Sequence, residues 1–126
     1  MPNSHEINCP FCAEQSGVLR NKLAYVRADK FAVSAGHMLV IPFRHVTSFF
    51  DLTSGERKAV MDLVVEAREL VEQNHRPDGY NIGINVGAAA GQTIPHVHVH
   101  LIPRYRGDVP NPRGGVRGVI PSKQAY

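Results

Sequence analysis

The chain has 126 residues, 43% hydrophobic and 20% charged, a composition that supports one domain with its own core. Its net charge of +3 is uneven: Arg104, Arg106, Arg113, Arg117 and Lys123 outweigh Asp108, so the last 23 residues carry +4 and the rest −1. This excludes a uniformly basic surface, is a weak nucleic-acid footprint without interleaved aromatics, and points to an anionic ligand near the C-terminal end, while no apolar run approaches the ~18 residues of a membrane span.

In chain order, the N-terminal stretch MPNSHEINCPFC has neither the basic nor the apolar region of a signal peptide, which sets the expectation of a cytoplasmic protein with reduced cysteines. Cys9 and Cys12 stand at C-x2-C spacing, half of a zinc site, whereas a redox pair would need a strand before it and a helix after it. Strands are expected at KLAYVRAD (22–29), KFAVS (30–34) and HMLVIP (37–42), with Asp29 at the turn-like step between the first two. Thr53 with Glu56 three residues on forms a capping box, and Val60, Leu63, Val64, Ala67, Leu70 and Val71 give one apolar helical face that Pro77 and Gly79 end. YNIGINVG (80–87) is a fourth strand, GAAAGQ (87–92) suits a loop of close backbone approach, and the Pro/Gly-dense tail after Pro103 should lack regular structure. His5 and His75 read as surface residues. One long helix among five strands, without βαβ alternation, predicts an α+β fold with a mostly antiparallel sheet.

The fifth strand, 96–102, sets His96, His98 and His100 on one face and Val97, Val99 and Leu101 on the other. At roughly 3.3 Å per residue the outer two histidines lie about 13 Å apart, too far for all three to share one metal. The three must divide their tasks, or only one or two of them do chemistry.

His96-Val97-His98-Val99-His100-Leu101-Ile102 resembles the signature of the histidine-triad superfamily. AGHMLVIPFRH (35–45) resembles that family's upstream strand and NVGAAAGQT (85–93) its loop before the triad. The resemblance implies a catalytic domain over 1–106, a basic tail over 107–126, and a homodimer whose two sheets join with the long helix near the interface. It implies a nucleotidyl hydrolase or transferase acting at an α-phosphate, with His98 as nucleophile. Neutral imidazole is nucleophilic near pH 7, and splitting one displacement into two lowers each barrier, provided a neighbour fixes the tautomer.

By the same likeness, His100 and His37 lie beside the phosphate as donors and proton carriers. Gln92 and Thr93 contact phosphoryl or bridging oxygens, Asn85 orients the phosphate end, Gly91 lets backbone N–H groups approach the anion, and Asp29 takes the ribose hydroxyls. Asp29 is equally readable as a turn residue, and Asn85 as a polar strand end. Bacterial-type relatives complete the cysteine pair with two distant histidines, which here are His45 and His96, giving a structural Zn²⁺ site. Mg²⁺ is expected, at most, as a chelate of the substrate.

AGQT before the triad and RGD after it resemble the dinucleoside-polyphosphate hydrolases of the fragile-histidine-triad branch. The expected substrate is then diadenosine tri- or tetraphosphate, cleaved to AMP, with the tail arginines screening distal phosphates. The CPFC motif departs from the eukaryotic members of that branch. Two alternatives remain: a phosphoramidate or adenylyl-sulfate hydrolase, and an AMP-binding regulatory module with little turnover.

Overall fold

The computed structural model describes Glu6 and residues 8–126. The surface position expected for His5 lies outside the described residues. In chain order the elements are α1 (Pro10–Ala13), β1 (Leu19–Arg20), β2 (Ala24–Ala28), β3 (Met38–Pro42), α2 (Ser54–Asn74), β4 (Gly79–Ile84) and β5 (Val99–Arg104). The strands form one five-stranded antiparallel sheet in the order β1-β2-β3-β5-β4. The α+β expectation holds, with one long helix on one face of the sheet.

That face is built by period-two alternation. Ala24, Val26, Val40, Val99 and Leu101 point one way and pack against Val60, Leu63, Val64, Ala67 and Val71 of α2. Full burial of one such valine or leucine stabilises by about 1.5–3 kcal/mol, so this layer carries much of the fold. The helix starts as expected: Thr53 accepts from the Glu56 N–H, and the Glu56 carboxylate accepts from the Thr53 N–H. Glu56 is also held by Arg44 through bonds of 2.7 and 2.9 Å, and this pairing keeps its buried carboxyl below the usual range. The helix ends at His75, exposed as expected, with Arg76 at φ 49 ahead of Pro77.

Several expected boundaries move. Residues 30–34 are not a strand, because the Phe31 N–H goes to the Asp29 carboxylate and the Val33 N–H to the His37 ring. With those donors spent on side chains, the segment is a turn that leaves Phe31 and Val33 exposed. The fifth strand is instead the two-residue β1. The Asn21 side chain accepts from the N–H groups of Leu23 and Ala24, so β2 starts at Ala24 rather than at residue 22. β5 begins at Val99, three residues later than expected, because the preceding backbone bonds elsewhere: the His96 N–H to the Ile94 carbonyl and the Val97 N–H to that of Val46. Within the loop before the triad, Ala88–Ala90 form a 3₁₀ turn closed by Gly91 at φ 91.

The tail is also more regular than expected, with 3₁₀ turns at Gly115–Val119 and Pro121–Lys123. Gly114, at φ 89, makes this possible, since a Cβ there would overlap the Gln124 carbonyl. Arg117 donates to the carbonyls of Lys123 and Gln124 and lies over the Tyr126 ring, so the tail's cations hold the tail.

Candidate active site and metal centre

The other face of the sheet carries the chemistry. Tyr25, Leu39 and Ile41 point to this side and are covered by Cys9, Phe11 and Cys12 of the N-terminal segment. His100 pairs in register with Leu39 on one side and Gly83 on the other, and Gly83 has no side chain to crowd it. Beside it lies a cavity of about 480 Å³ whose wall includes Asp29, Asn85, Gly91, Thr93, His98 and His100. Phe11, Phe31, Leu39 and Ile94 supply its apolar surface, and Arg27 and Lys30 its cations.

Hydrogen-bond partners fix the protons on three imidazoles. His98 Nδ1 lies 2.8 Å from the His96 carbonyl, which can only accept. The Nδ1–H is therefore the donor, and the Nε2 lone pair is left for the cavity. His37 Nδ1 accepts from the Val33 N–H at 3.1 Å, so its proton is on Nε2. That N–H faces His100 Nδ1 at 3.0 Å and Asp29 Oδ2 at 3.3 Å. His100 Nδ1 is then an acceptor, and His100 carries its own proton on Nε2. One imidazole of the cavity wall thus offers a lone pair and its neighbour, with ring centroids 5.2 Å apart, offers an N–H.

Burial holds both His37 and His100 below the usual histidine range. For His100 the neighbouring imidazoles His98 and His37 add to the effect, while Asp29 opposes it at both. The unfolded chain therefore binds more protons than the folded one in acid, and stability is lost as pH falls. Thermal scans between pH 8 and pH 5 are expected to give a flat melting temperature above about pH 6.5, then a decline as pH falls from there toward the lowered folded values, levelling off below them. His37→Gln should lessen that decline; a profile unchanged by this substitution contradicts the assignment.

Gln92 is oriented differently from the expectation. Its Oε1 accepts from the Gly87 N–H at 2.9 Å, and its Nε2 donates to the carbonyls of Thr47 and Ile94. In this structure it braces the loop, while Gly91 and Thr93 line the cavity. Asp29 makes the turn through Oδ1 and reaches the cavity and His37 as well, so its two readings are compatible. The tail arginines do not line the cavity. Arg104 is tied to Asp108 and Asn81, Arg106 is 90% exposed near Asp78, and Arg113 lies over Tyr126.

His96 belongs to a second cluster. Cys9 Sγ and Cys12 Sγ lie 3.4 and 3.5 Å from His96 Nδ1, and Cys12 Sγ lies 3.4 Å from His45 Nδ1. All four ligand atoms fall within 4.8 Å of one another. Tetrahedral Zn²⁺ with usual bond lengths would separate sulfur from nitrogen by roughly 3.6 Å, so the set fits a metal ion. The wiring agrees: His96 Nε2 donates to the Pro42 carbonyl at 2.8 Å, which turns the Nδ1 lone pair toward the cysteines. Burial pushes the Cys12 thiol up, an environment in which a cation is needed to hold thiolate. Asp29, His37 and His100 are also close enough to share an ion. There, however, the Val33 N–H keeps the proton on His37 Nε2, the atom that would have to ligate.

Sequence reasoning missed the apolar wall. Phe11 was within reach of it: once His96 is assigned to the cysteine pair, the two residues between the cysteines, Pro10 and Phe11, are brought toward the triad, and both line the cavity.

Comparison with known proteins gives the family. The HIT domain family model matches residues 12–107. A Mycobacterium tuberculosis protein named AP-4-A phosphorylase is 35% identical over 102 residues, 79% of this chain and 52% of its own length. A Schizosaccharomyces pombe protein named bis(5'-nucleosyl)-tetraphosphatase [asymmetrical] is 40% identical over 89 residues, 71% of this chain and 49% of its own length. The chain therefore spans about half of either relative. A Zn-bound histidine triad family protein from Mycobacterium smegmatis superposes with a TM-score of 0.73 at 28% identity, covering 81% of this chain and 78% of that one. By family match, fold and the placement of its triad, the chain belongs to the HIT family.

Proposed function

We propose that the chain is a nucleotidyl hydrolase that cleaves diadenosine tri- or tetraphosphate at an α-phosphate and releases AMP. The observation that carries this reading is the complementary pair in the cavity wall, a bare Nε2 on His98 beside an N–H on His100. His98 Nε2 attacks phosphorus, an N–P bond forms, and the P–O bond to the rest of the substrate breaks. Water then forms the new P–O bond, the N–P bond breaks, and a proton is released. His100 donates to an oxygen of the phosphoryl group, with His37 fixing its tautomer. Asp29 receives the ribose hydroxyls, Asn85, Gly91 and Thr93 border the phosphate, and Gln92 acts by holding that loop.

A second recess of about 370 Å³ shares His37, Asn85 and His100 with this site, so a substrate with two nucleosides has room on both sides. Arg27 and Lys30 take over the charge screening first expected of the tail. Residues 1–106 form the catalytic unit and 107–126 its appended tail. Cys9, Cys12, His45 and His96 hold a structural Zn²⁺, and Mg²⁺ enters only on the substrate. Two copies join their sheets into one, with α2 near the interface, as a cytoplasmic homodimer; a sedimenting mass of one chain would contradict that pairing.

The relative named AP-4-A phosphorylase favours a second reading, in which phosphate replaces water and the product is ADP. Chromatography of products from diadenosine tetraphosphate, with and without inorganic phosphate, separates the two. AMP plus ATP under both conditions is expected. ADP appearing only with phosphate moves the chain to phosphorolysis, and turnover of adenosine phosphoramidate alone moves it to the phosphoramidate branch. AMP binding without turnover would leave a regulatory module.

A further inference from the structure

Phe11 stands between the cysteines of the metal cluster and against the nucleophile. Its ring is 5.0 Å from that of His98 at 60°, and 5.9 Å from that of His96 at 89°. Only 3% of the residue is exposed, and what remains open forms part of the nucleotide cavity. Its backbone is fixed on three counts. The Tyr25 hydroxyl donates to the Phe11 carbonyl at 2.6 Å, the Gln15 amide donates to the same oxygen, and the N–H groups of Cys12 and Ala13 turn back onto the Cys9 carbonyl. On the ring, the Arg27 guanidinium carbon lies 5.2 Å from the centroid.

The His98 imidazole is therefore held by two parts of the same cluster. The His96 carbonyl takes the Nδ1 proton, while the His96 ring faces Cys9 and Cys12. Phe11, carried on the chain that links those cysteines, rests against the His98 ring. The carbonyl selects the Nδ1–H tautomer only while the ring stays aligned with it, and a single hydrogen bond leaves the imidazole free to swing out of that alignment. A packed aromatic contact restricts that swing. In-line attack needs the Nε2 lone pair aimed at phosphorus, and small misplacements of a reacting group are costly.

We infer that Phe11 is a positioning residue for His98, and that the Cys9–Cys12–His45–His96 cluster orients the nucleophile as well as anchoring the N-terminal segment. This rests on the reading of His98 as nucleophile and of the cluster as a zinc site. It adds a consequence neither contains: the shape of the CPFC turn matters to the reaction, beyond its ability to bind metal.

The test uses the purified full chain with Phe11→Ala, Phe11→Leu and Phe11→Tyr. Three quantities are read: zinc per chain by elemental analysis, the His98 ring tautomer by nitrogen-15 NMR without nucleotide, and kcat and KM on diadenosine tetraphosphate. Phe11→Ala and Phe11→Leu are expected to keep their zinc, show mixed His98 tautomers, and lose about tenfold in kcat with a smaller rise in KM. Phe11→Tyr, which keeps the ring, should restore the single tautomer and most of kcat.

Zinc, tautomer and kcat all unchanged in the alanine and leucine variants would overturn the inference. If Phe11→Ala does not fold, Phe11→Leu decides by the same criteria. A wild-type chain without zinc sinks the metal reading, yet the tautomer shift still tests the Phe11 contact. A wild-type chain without turnover sinks the hydrolase reading, and the tautomer in unliganded protein still decides the positioning.

Discussion

Replacing His98 by asparagine is expected to lower kcat on diadenosine tetraphosphate by about 10⁴-fold or more, with AMP affinity changed only several-fold. Asparagine retains an amide that can donate to the His96 carbonyl, so the local fold has a partner for the bond His98 makes at 2.8 Å. It has no lone pair able to form an N–P bond, so the route through a covalent intermediate closes. The cavity wall around it, with Phe11, Leu39, Ile94 and Asp29, stays as it was. The check is turnover beside equilibrium AMP binding for the same preparation. Retained kcat contradicts the nucleophile assignment. Loss of both turnover and binding means that His98 holds the pocket rather than performing the chemistry.

Removing the Zn²⁺ proposed above should produce the largest effect on stability. Cys9, Phe11 and Cys12 are packed against Tyr25, Leu39 and Ile41, yet the covering element is the four-residue α1, too short to be stable alone. The cluster adds side-chain ties from this segment to His45, just after β3, and to His96 at the start of the triad. A native-state ligand present at about 1,000 times its dissociation constant contributes about 4 kcal/mol. For a chain of this size that is roughly 12–20 °C in melting temperature. Cys12→Ser, or chelation of the wild type, should therefore lower the melting temperature by that order, and re-added Zn²⁺ should reverse only the chelation. A chelated wild type that melts unchanged would remove the zinc centre from the account.

The elements that followed from sequence are those whose signals are local. The α2 capping box and its apolar stripe need only Thr53, Glu56 and the helical period, and both are present, although Leu70 of the expected stripe is only half-buried. The triad with its flanking motifs pointed to the strand that borders the cavity, and the distance across it argued that the three histidines do not share one task; His96 lies with Cys9, Cys12 and His45, while His98 and His100 face the cavity. What stayed hidden depends on side chains that take over backbone hydrogen bonds. Asp29 and His37 capture the donors of Phe31 and Val33, turning a β-rich stretch into an exposed turn. Gln92 has a side chain suited to phosphate, but the loop carbonyls of Thr47 and Ile94 occupy it, and sequence spacing does not display them. Charge alone suggests a phosphate role for the tail arginines, whereas their partners Asp108, Asn81 and Tyr126 come from folding. Phe11 is the intermediate case, legible only after the metal ligands had been grouped.

The most direct test of the central claim is to trap the covalent intermediate. Full-length protein is mixed with diadenosine tetraphosphate, quenched in base within a turnover to preserve an N–P bond, and mapped by mass spectrometry. The account predicts one adenylyl group on the peptide containing His98, absent from His98→Asn and lost again as AMP on standing with water. Turnover to AMP and ATP with no adenylyl group on any histidine would contradict it, because water would then be attacking phosphorus directly.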